Sequence, residues 1–271
     1  MIKNHKKTFL DVAVRAARLA GKVILDNLGK ISKKDIDTKK TSDFVTRVDE
    51  ESEQVIIHTI KERFPAHHIL AEESLQATDA HEYRWIIDPL DGTTNYIHQY
   101  PVFSISIALE YKKEIILGVV YDPLREELFT AEKGRGAFLN KHPIRVSSIH
   151  SLKDCLVTTG FPFRSKEFID VYLKLFKTVF QKISDLRRAG SAALDLSYLS
   201  CGRCEGFFEI GLSPWDIAAG DILIREAGGV VTDFRGGSEY LLTGNIVAGN
   251  PAVHEQLLRE VKHVFGGIID K

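Results

Sequence analysis

Two aspartates, Asp88 and Asp91, close an apolar run and open onto Gly92-Thr93-Thr94-Asn95. The preceding Trp85-Ile86-Ile87 has the β-branched and aromatic character of a buried strand end. Pro89 lacks a backbone N–H and disfavours helix at Asp88, so the strand is expected to stop and turn there. Gly92 permits a tight reversal, and Thr93, Thr94 and Asn95 can each start or cap a helical turn. Carboxylates recruit hard cations, whereas backbone N–H groups at a helix start recruit phosphate. A metal between them lets both live in one place. A sharp turn in which the aspartates only cap backbone groups has the same local pattern. Further acids favour the cation: Glu72-Glu73 follows Ile69-Leu70-Ala71, and Asp216 follows Pro214-Trp215 and opens an apolar helix.

Such acids need rigid supports. Residues 9–28 carry Phe9, Val12, Ala16, Leu19, Val23 and Ile24 at helical spacing. Residues 29–41 are rich in lysine and read as a solvated connector, with a mobile basic loop closing over an anionic substrate as the other reading. A second helix is expected to open at 43–49 and run to about Phe64, with Asp49 near its positive end. Residues 103–109 and 115–121 form a hairpin around Lys112-Lys113-Glu114, and 127–131 and 137–139 continue the sheet. From about Ser151 strands alternate with helices: strands at 156–159, 185–188, 206–210, 230–232 and 246–248, helices at 168–183, 191–199, 216–227 and 251–265. Residues 1–150 are therefore expected to be a helix pair on a mainly antiparallel sheet carrying most of the metal ligands. Residues 151–271 are expected to be an α/β half that completes the cleft.

The stretches Trp85-Ile86-Ile87-Asp88-Pro89-Leu90-Asp91-Gly92-Thr93-Thr94-Asn95 and Trp215-Asp216-Ile217-Ala218-Ala219-Gly220-Asp221 resemble the two signatures of the inositol monophosphatase family. These are magnesium-dependent, lithium-sensitive sugar phosphatases. Ala71-Glu72-Glu73-Ser74 is a third match, with Ala71 where the family more often has glycine, and the resemblance runs from about Phe9 to about Phe265. It implies a layered α-β-α-β-α sandwich, of mixed α+β and α/β character. It also implies two or three magnesium ions held by Glu72, Asp88, the Leu90 carbonyl, Asp91 and Asp216. Oxygen ligands alone suit magnesium, and the scattered histidines offer no rival site; His67 and His68, adjacent on a strand, would face opposite ways.

The same resemblance pairs Asp49 with Thr93 to orient the attacking water, with Glu72 assisting its activation, and leaves Asp43 structural. It sets the phosphate against the N–H groups of Gly92, Thr93 and Thr94, beside Leu90 and Asp91. Glu209 reads substrate hydroxyls, Asp216 neighbours the leaving oxygen, and Gly190-Ser191-Ala192 makes further substrate contacts. Arg187 is assigned to the pocket and Arg188 to a contact between subunits of a homodimer. Glu73 is read as a supporting or surface residue, since adjacent acids at a strand end cannot both point inward. The expected reaction is hydrolysis of a small phosphate monoester, inositol-1-phosphate foremost, with fructose-1,6-bisphosphate or another sugar or nucleotide phosphate as the alternative. The short connector over 75–82 gives no sign of an added lid. A regulatory protein that binds partners on the same fold is the reading from a different class.

The bulk composition agrees with a small-molecule enzyme. With 271 residues and 44% hydrophobic content the chain can bury a substantial core. Lys and Arg number 36 against 37 Asp and Glu, so no net charge draws it toward nucleic acid or a membrane. The polar N-terminus leads into an amphipathic helix rather than a signal sequence, which suggests a cytoplasmic protein. Cys201 and Cys204 make a Cys-x-x-Cys, but at the end of a helix rather than its start, where a thiol would be activated. They read as two reduced thiols at a turn.

Overall fold

The computed structural model describes residues 8–40, 43–74, 82–163, 165–266 and 268. Most of the connector after Glu73 lies outside them. Helix α1 (Phe9–Asn27) starts at a capping box between Thr8 and Asp11. Its inner face is largely small: Ala13, Ala16, Ala17 and Ala20 are buried, while Leu19, expected inside, is exposed. Strands β1 (Ile36–Lys40) and β2 (Asp43–Thr46) pair antiparallel, so the expected connector is in part a hairpin. Helix α2 (Arg47–Lys61) follows, capped by Thr46 within the expected stretch and ending before Phe64.

A seven-stranded sheet follows, in sequential order: β3 (His68–Ala71), β4 (Tyr83–Asp91), β5 (Ser104–Tyr111), β6 (Glu114–Asp122), β7 (Glu127–Glu132), β8 (Ala137–Leu139) and β9 (His142–Ile144). Only the β3–β4 pair is parallel. Strand β4 does not stop at Pro89. Asp88 pairs with Ser106 and Asp91 with Ser104, so β4 carries one extra residue and bulges. The bulge suits proline, which has no N–H to leave unpaired, and the Pro89 carbonyl accepts from Ser52 Oγ at 2.9 Å. Helix α3 (Thr93–Ile97) leaves directly from this strand. His67 lies before β3, stacked on Tyr83 and accepting at Nδ1 from Trp85 Nε1, so it does not alternate with His68 along a strand.

The second sheet has five strands in the order β11-β10-β12-β14-β13, with helices interleaved. In chain order these are β10 (Leu156–Thr159), α4 (Ile169–Phe180), β11 (Asp185–Arg187), α5 (Ala192–Ser200), β12 (Gly206–Glu209), α6 (Pro214–Glu226), β13 (Val230–Thr232), α7 (Tyr240–Thr243), β14 (Ile246–Gly249) and α8 (Pro251–Phe265). Strand β10 pairs parallel with β11 and β12, and the remaining pairs are antiparallel.

Residue alternation explains how the layers stack. Trp85 and Ile87 of β4 face α1 and α2, while Ile86 faces α5 and α6. On β12, Phe207 joins the α5–α6 side and Phe208 the α4–α8 side. Each sheet is thus apolar on both faces, which gives helix, sheet, helix, sheet, helix: the expected α-β-α-β-α sandwich. Helix α6 sits close to the first sheet because Gly118 has no side chain; a Cβ there would lie 2.7 Å from the Ala219 carbonyl. No helix among the described residues is long and apolar enough to cross a membrane.

Candidate active site

The bulge at the end of β4 and the starts of α3, α5 and α6 meet around one cavity of about 270 Å³. Carboxylate oxygens of Asp88, Asp91 and Asp216 lie within 4.8 Å of one another there, and all three residues are buried. Each is held by its own backbone surroundings. Leu90 N donates to Asp88 Oδ1 at 3.0 Å, across the bulge. Asp91 Oδ2 accepts from Ser191 Oγ at 2.5 Å and from Ala193 N at 2.8 Å, which fastens the start of α5 to β4. Asp216 Oδ2 accepts from Ser213 N at 2.7 Å, completing a capping box at the start of α6. Glu72 lines the same cavity from the end of β3, and Glu73 is not among the lining residues.

Burial, followed by the charges of Glu72, Asp91 and Asp216, pushes the Asp88 carboxyl well above the usual range. Burial and Asp216 push Asp91 up to about 7, against the pull of the Ser191 and Ala193 hydrogen bonds. Acids forced together in this way resist joint ionisation, and a divalent cation among them relieves it. The donor set consists of hard oxygens, so it fits magnesium. Asp88, Asp91 and Asp216 would hold the ion, with Glu72 and the Leu90 carbonyl beside them.

Thr93 stands next to this cluster. Its hydroxyl donates to Asp49 Oδ1 at 2.7 Å and lies 3.1 Å from the Leu90 carbonyl. One O–H cannot serve both acceptors fully, and the shorter contact takes the proton, leaving the carbonyl able to face a cation. Asp49 has two tasks. Its other oxygen accepts from Thr46 N at 2.9 Å, so the cap of α2 and the aim of Thr93 share one side chain. Gly92 turns the chain with φ of 98°, and a Cβ there would come 2.9 Å from the Val102 carbonyl. Gly92, Thr93 and Thr94 all border the cavity.

The far wall belongs to the second sheet. Glu209 ends β12, which runs between β10 and β14 rather than at an edge, and it lines the cavity with Gly190, Ser191 and Ala192. Burial first, then Asp195 and Asp216, push its carboxyl well up, and Arg188 pulls it back. Of the two adjacent arginines, the one not assigned to the pocket reaches the cavity. Arg188 lines the cavity, while Arg187 points to solvent and pairs with Asp185 at 2.5 Å. Arg187 belongs to the short exposed edge strand β11, and the chain turns toward the cleft only after it.

Several lining residues had no place in the sequence reading: Thr159, Gly160, Phe163, Asp195 and Leu212. Asp195 could have been found, since it follows Ser191 by one helical turn on the same face. Asn95 ties the two halves of the site together, its Nδ2 donating to the Val102 and Ala189 carbonyls at 2.7 and 2.9 Å. The cysteines are free, and burial raises the thiols of both Cys201 and Cys204, which suits neither to redox chemistry.

Comparison with known proteins points one way. The model of the family described as "Inositol monophosphatase family" matches residues 5–264. "Nus factor SuhB" of Escherichia coli K12 is 50% identical over 255 residues, covering 93% of this chain and 95% of the relative. The crystal structure of extragenic suppressor protein suhB from Bartonella henselae superposes with a TM-score of 0.90 at 41% identity, covering 96% of this chain and 99% of that one. The inositol monophosphatase structure from Anabaena matches with a TM-score of 0.85 at 42% identity, covering 94% and 96%.

Proposed function

This chain belongs to the inositol monophosphatase family, and we propose that it is a magnesium-dependent phosphatase of small phosphate monoesters, with inositol-1-phosphate as its substrate. The observation that carries this reading is the meeting of the Asp88, Asp91 and Asp216 carboxylates beside the Thr93–Asp49 pair. Magnesium bound there would supply a Lewis acid that eases ionisation of water and offsets phosphoryl charge. The chain's own residues do the rest. Thr93, its proton committed to Asp49, presents lone pairs that orient the attacking water, and Glu72 accepts a proton from it. The N–H groups of Gly92, Thr93 and Thr94 face the phosphate, while Glu209 and the start of α5 hold the alcohol so that its oxygen leaves beside Asp216.

A dimer is part of this proposal. On α4, Ile169, Leu173 and Phe180 are exposed, and Phe176 stacks between Phe161 and Phe180. This apolar stripe, which meets Arg188 at Phe161, suits a second copy. A second role, in binding protein partners such as transcription machinery, is favoured by the name Nus factor borne by relatives about half identical to this chain.

Phosphate release with magnesium is the test, using inositol-1-phosphate, fructose-1,6-bisphosphate, a 3′-phosphonucleotide and an aryl phosphate. Each is repeated with EDTA and with lithium. Release that is fastest from inositol-1-phosphate and stopped by EDTA and by lithium is the expected result. Preference for fructose-1,6-bisphosphate would keep the chemistry and change the substrate. No release from any ester, with magnesium still binding, would leave the partner-binding role.

A further inference from the structure

Neither the cation cluster nor helix capping accounts for the buried carboxylate of Asp195. It stands in the first turn of α5, whose cap is already made by the Ser191 hydroxyl accepting from Leu194 N. Asp195 is 2% exposed, yet no donor among the described residues reaches its carboxylate; burial, Asp91 and Arg188 are the influences on it. It does not belong to the group formed by Asp88, Asp91 and Asp216. It borders the cavity together with Glu209, which is 6% exposed and likewise receives no hydrogen bond from a described residue.

The surroundings keep these two acids available. Gly160 lies against Glu209 so closely that a methyl at its Cα would overlap the carboxylate. Arg188, which offsets the charge on both, has its guanidinium 6.0 Å from the Phe161 ring centroid and donates to neither. Burying a carboxylate without donors is unfavourable, and a cavity wall that keeps two of them gains only if something entering brings donors. Hydroxyl groups are such donors, and a carboxyl pairs with a hydroxyl whether ionised or not.

We propose that Asp195 is a specificity-determining residue, which together with Glu209 forms a pair of acceptors for two hydroxyls of the polyol. This rests on the phosphatase reading, with the phosphate of the same molecule at the Asp88, Asp91 and Asp216 end of the cavity. The pair favours alcohols carrying several hydroxyls over aryl or simple alkyl esters. It also explains why the cavity keeps acids beyond the cation cluster although the substrate is an anion: the phosphate and the hydroxyls meet different groups.

The test compares kcat/KM with magnesium on inositol-1-phosphate and p-nitrophenyl phosphate for the wild type and Asp195→Asn. The variant is expected to lose about 10- to 100-fold on the inositol ester, and at least about tenfold more there than on the aryl ester. Its melting temperature should equal or exceed that of the wild type, because no hydrogen bond to a described residue is lost. Equal losses on both esters, or a fall in melting temperature, would mean that Asp195 is a structural acid and would overturn the proposal. A second measurement needs no variant: on single-deoxy inositol phosphates, the wild type should lose about tenfold or more at two or more ring positions. Loss at one position or none removes Asp195 as a reader while the phosphatase reading stands. A wild type that hydrolyses neither ester removes both.

Discussion

Helix α6 carries two buried acids, Asp216 and Asp221, which the fold treats in opposite ways. Asp221 is closed off within the chain: Arg225 Nε donates to it at 2.7 Å and the Tyr240 hydroxyl at 2.9 Å. Arg225 is in turn anchored on the Val231 carbonyl at 3.1 Å. Asp216, at the start of the same helix, faces Asp88 and Asp91 instead. Both acids are buried, so burial does not separate structure from function here. Compensation does. One acid has its cation built into the next helical turn, and the other shares its place with two further acids, a grouping that suits a divalent cation.

The sharpest way to break this contrast is Asp91→Asn. It should lower magnesium-dependent turnover about a thousandfold or more, with the melting temperature unchanged or raised because repulsion among the acids is relieved. Near-normal turnover would end the assignment of the cluster as a cation site. Asp49→Asn should come next. A loss of about a hundredfold in kcat is expected from the misaimed Thr93, together with about 1 kcal/mol of stability from the weakened cap of α2. A variant that loses stability alone would make Asp49 purely structural.

On the compensated side, Arg225→Ala should cost about 2–3 kcal/mol in denaturant unfolding, below the figure for a fully buried pair because Arg225 is partly exposed. The folded fraction should retain its turnover. Loss of activity without loss of stability would place Asp221 in the working site after all. The smallest effect concerns pH. Asp91 is pushed up from 3.8 to about 7 without metal, so between those values the folded chain keeps a proton that the unfolded chain has released. Stability in EDTA should therefore rise as pH falls from about 8 toward 5, by a few degrees in melting temperature, and saturating magnesium should flatten the trend. A melting temperature in EDTA that falls over this range would contradict the repulsive cluster.

Much of the site was readable because its parts are local. The apolar run into Asp88, the turn at Gly92 and the helix start beside Asp216 are all decided within a few residues of chain. The resemblance across most of the chain supplied the layered fold, and the alternation of Trp85, Ile86 and Ile87 agrees with a sheet covered on both faces. Pro89 misled for a local reason too: proline usually ends a strand, and only the pairing of Asp88 and Asp91 with β5 reveals a bulge. The lysine-rich connector misled because a hairpin between β1 and β2 needs a partner that composition does not show.

The amino-acid sequence by itself thus determined which acids exist, which turns present them and which elements carry them. The tertiary structure alone decided which charges face each other. Arg188 rather than Arg187 reaches the cavity because of where β11 ends at the sheet edge. Glu209 is deep because β12 is flanked on both sides, and Asp195 joins it because α5 is fastened to Asp91. Propensity and capping act over a few residues, whereas electrostatic compensation depends on distances between segments that only packing brings together.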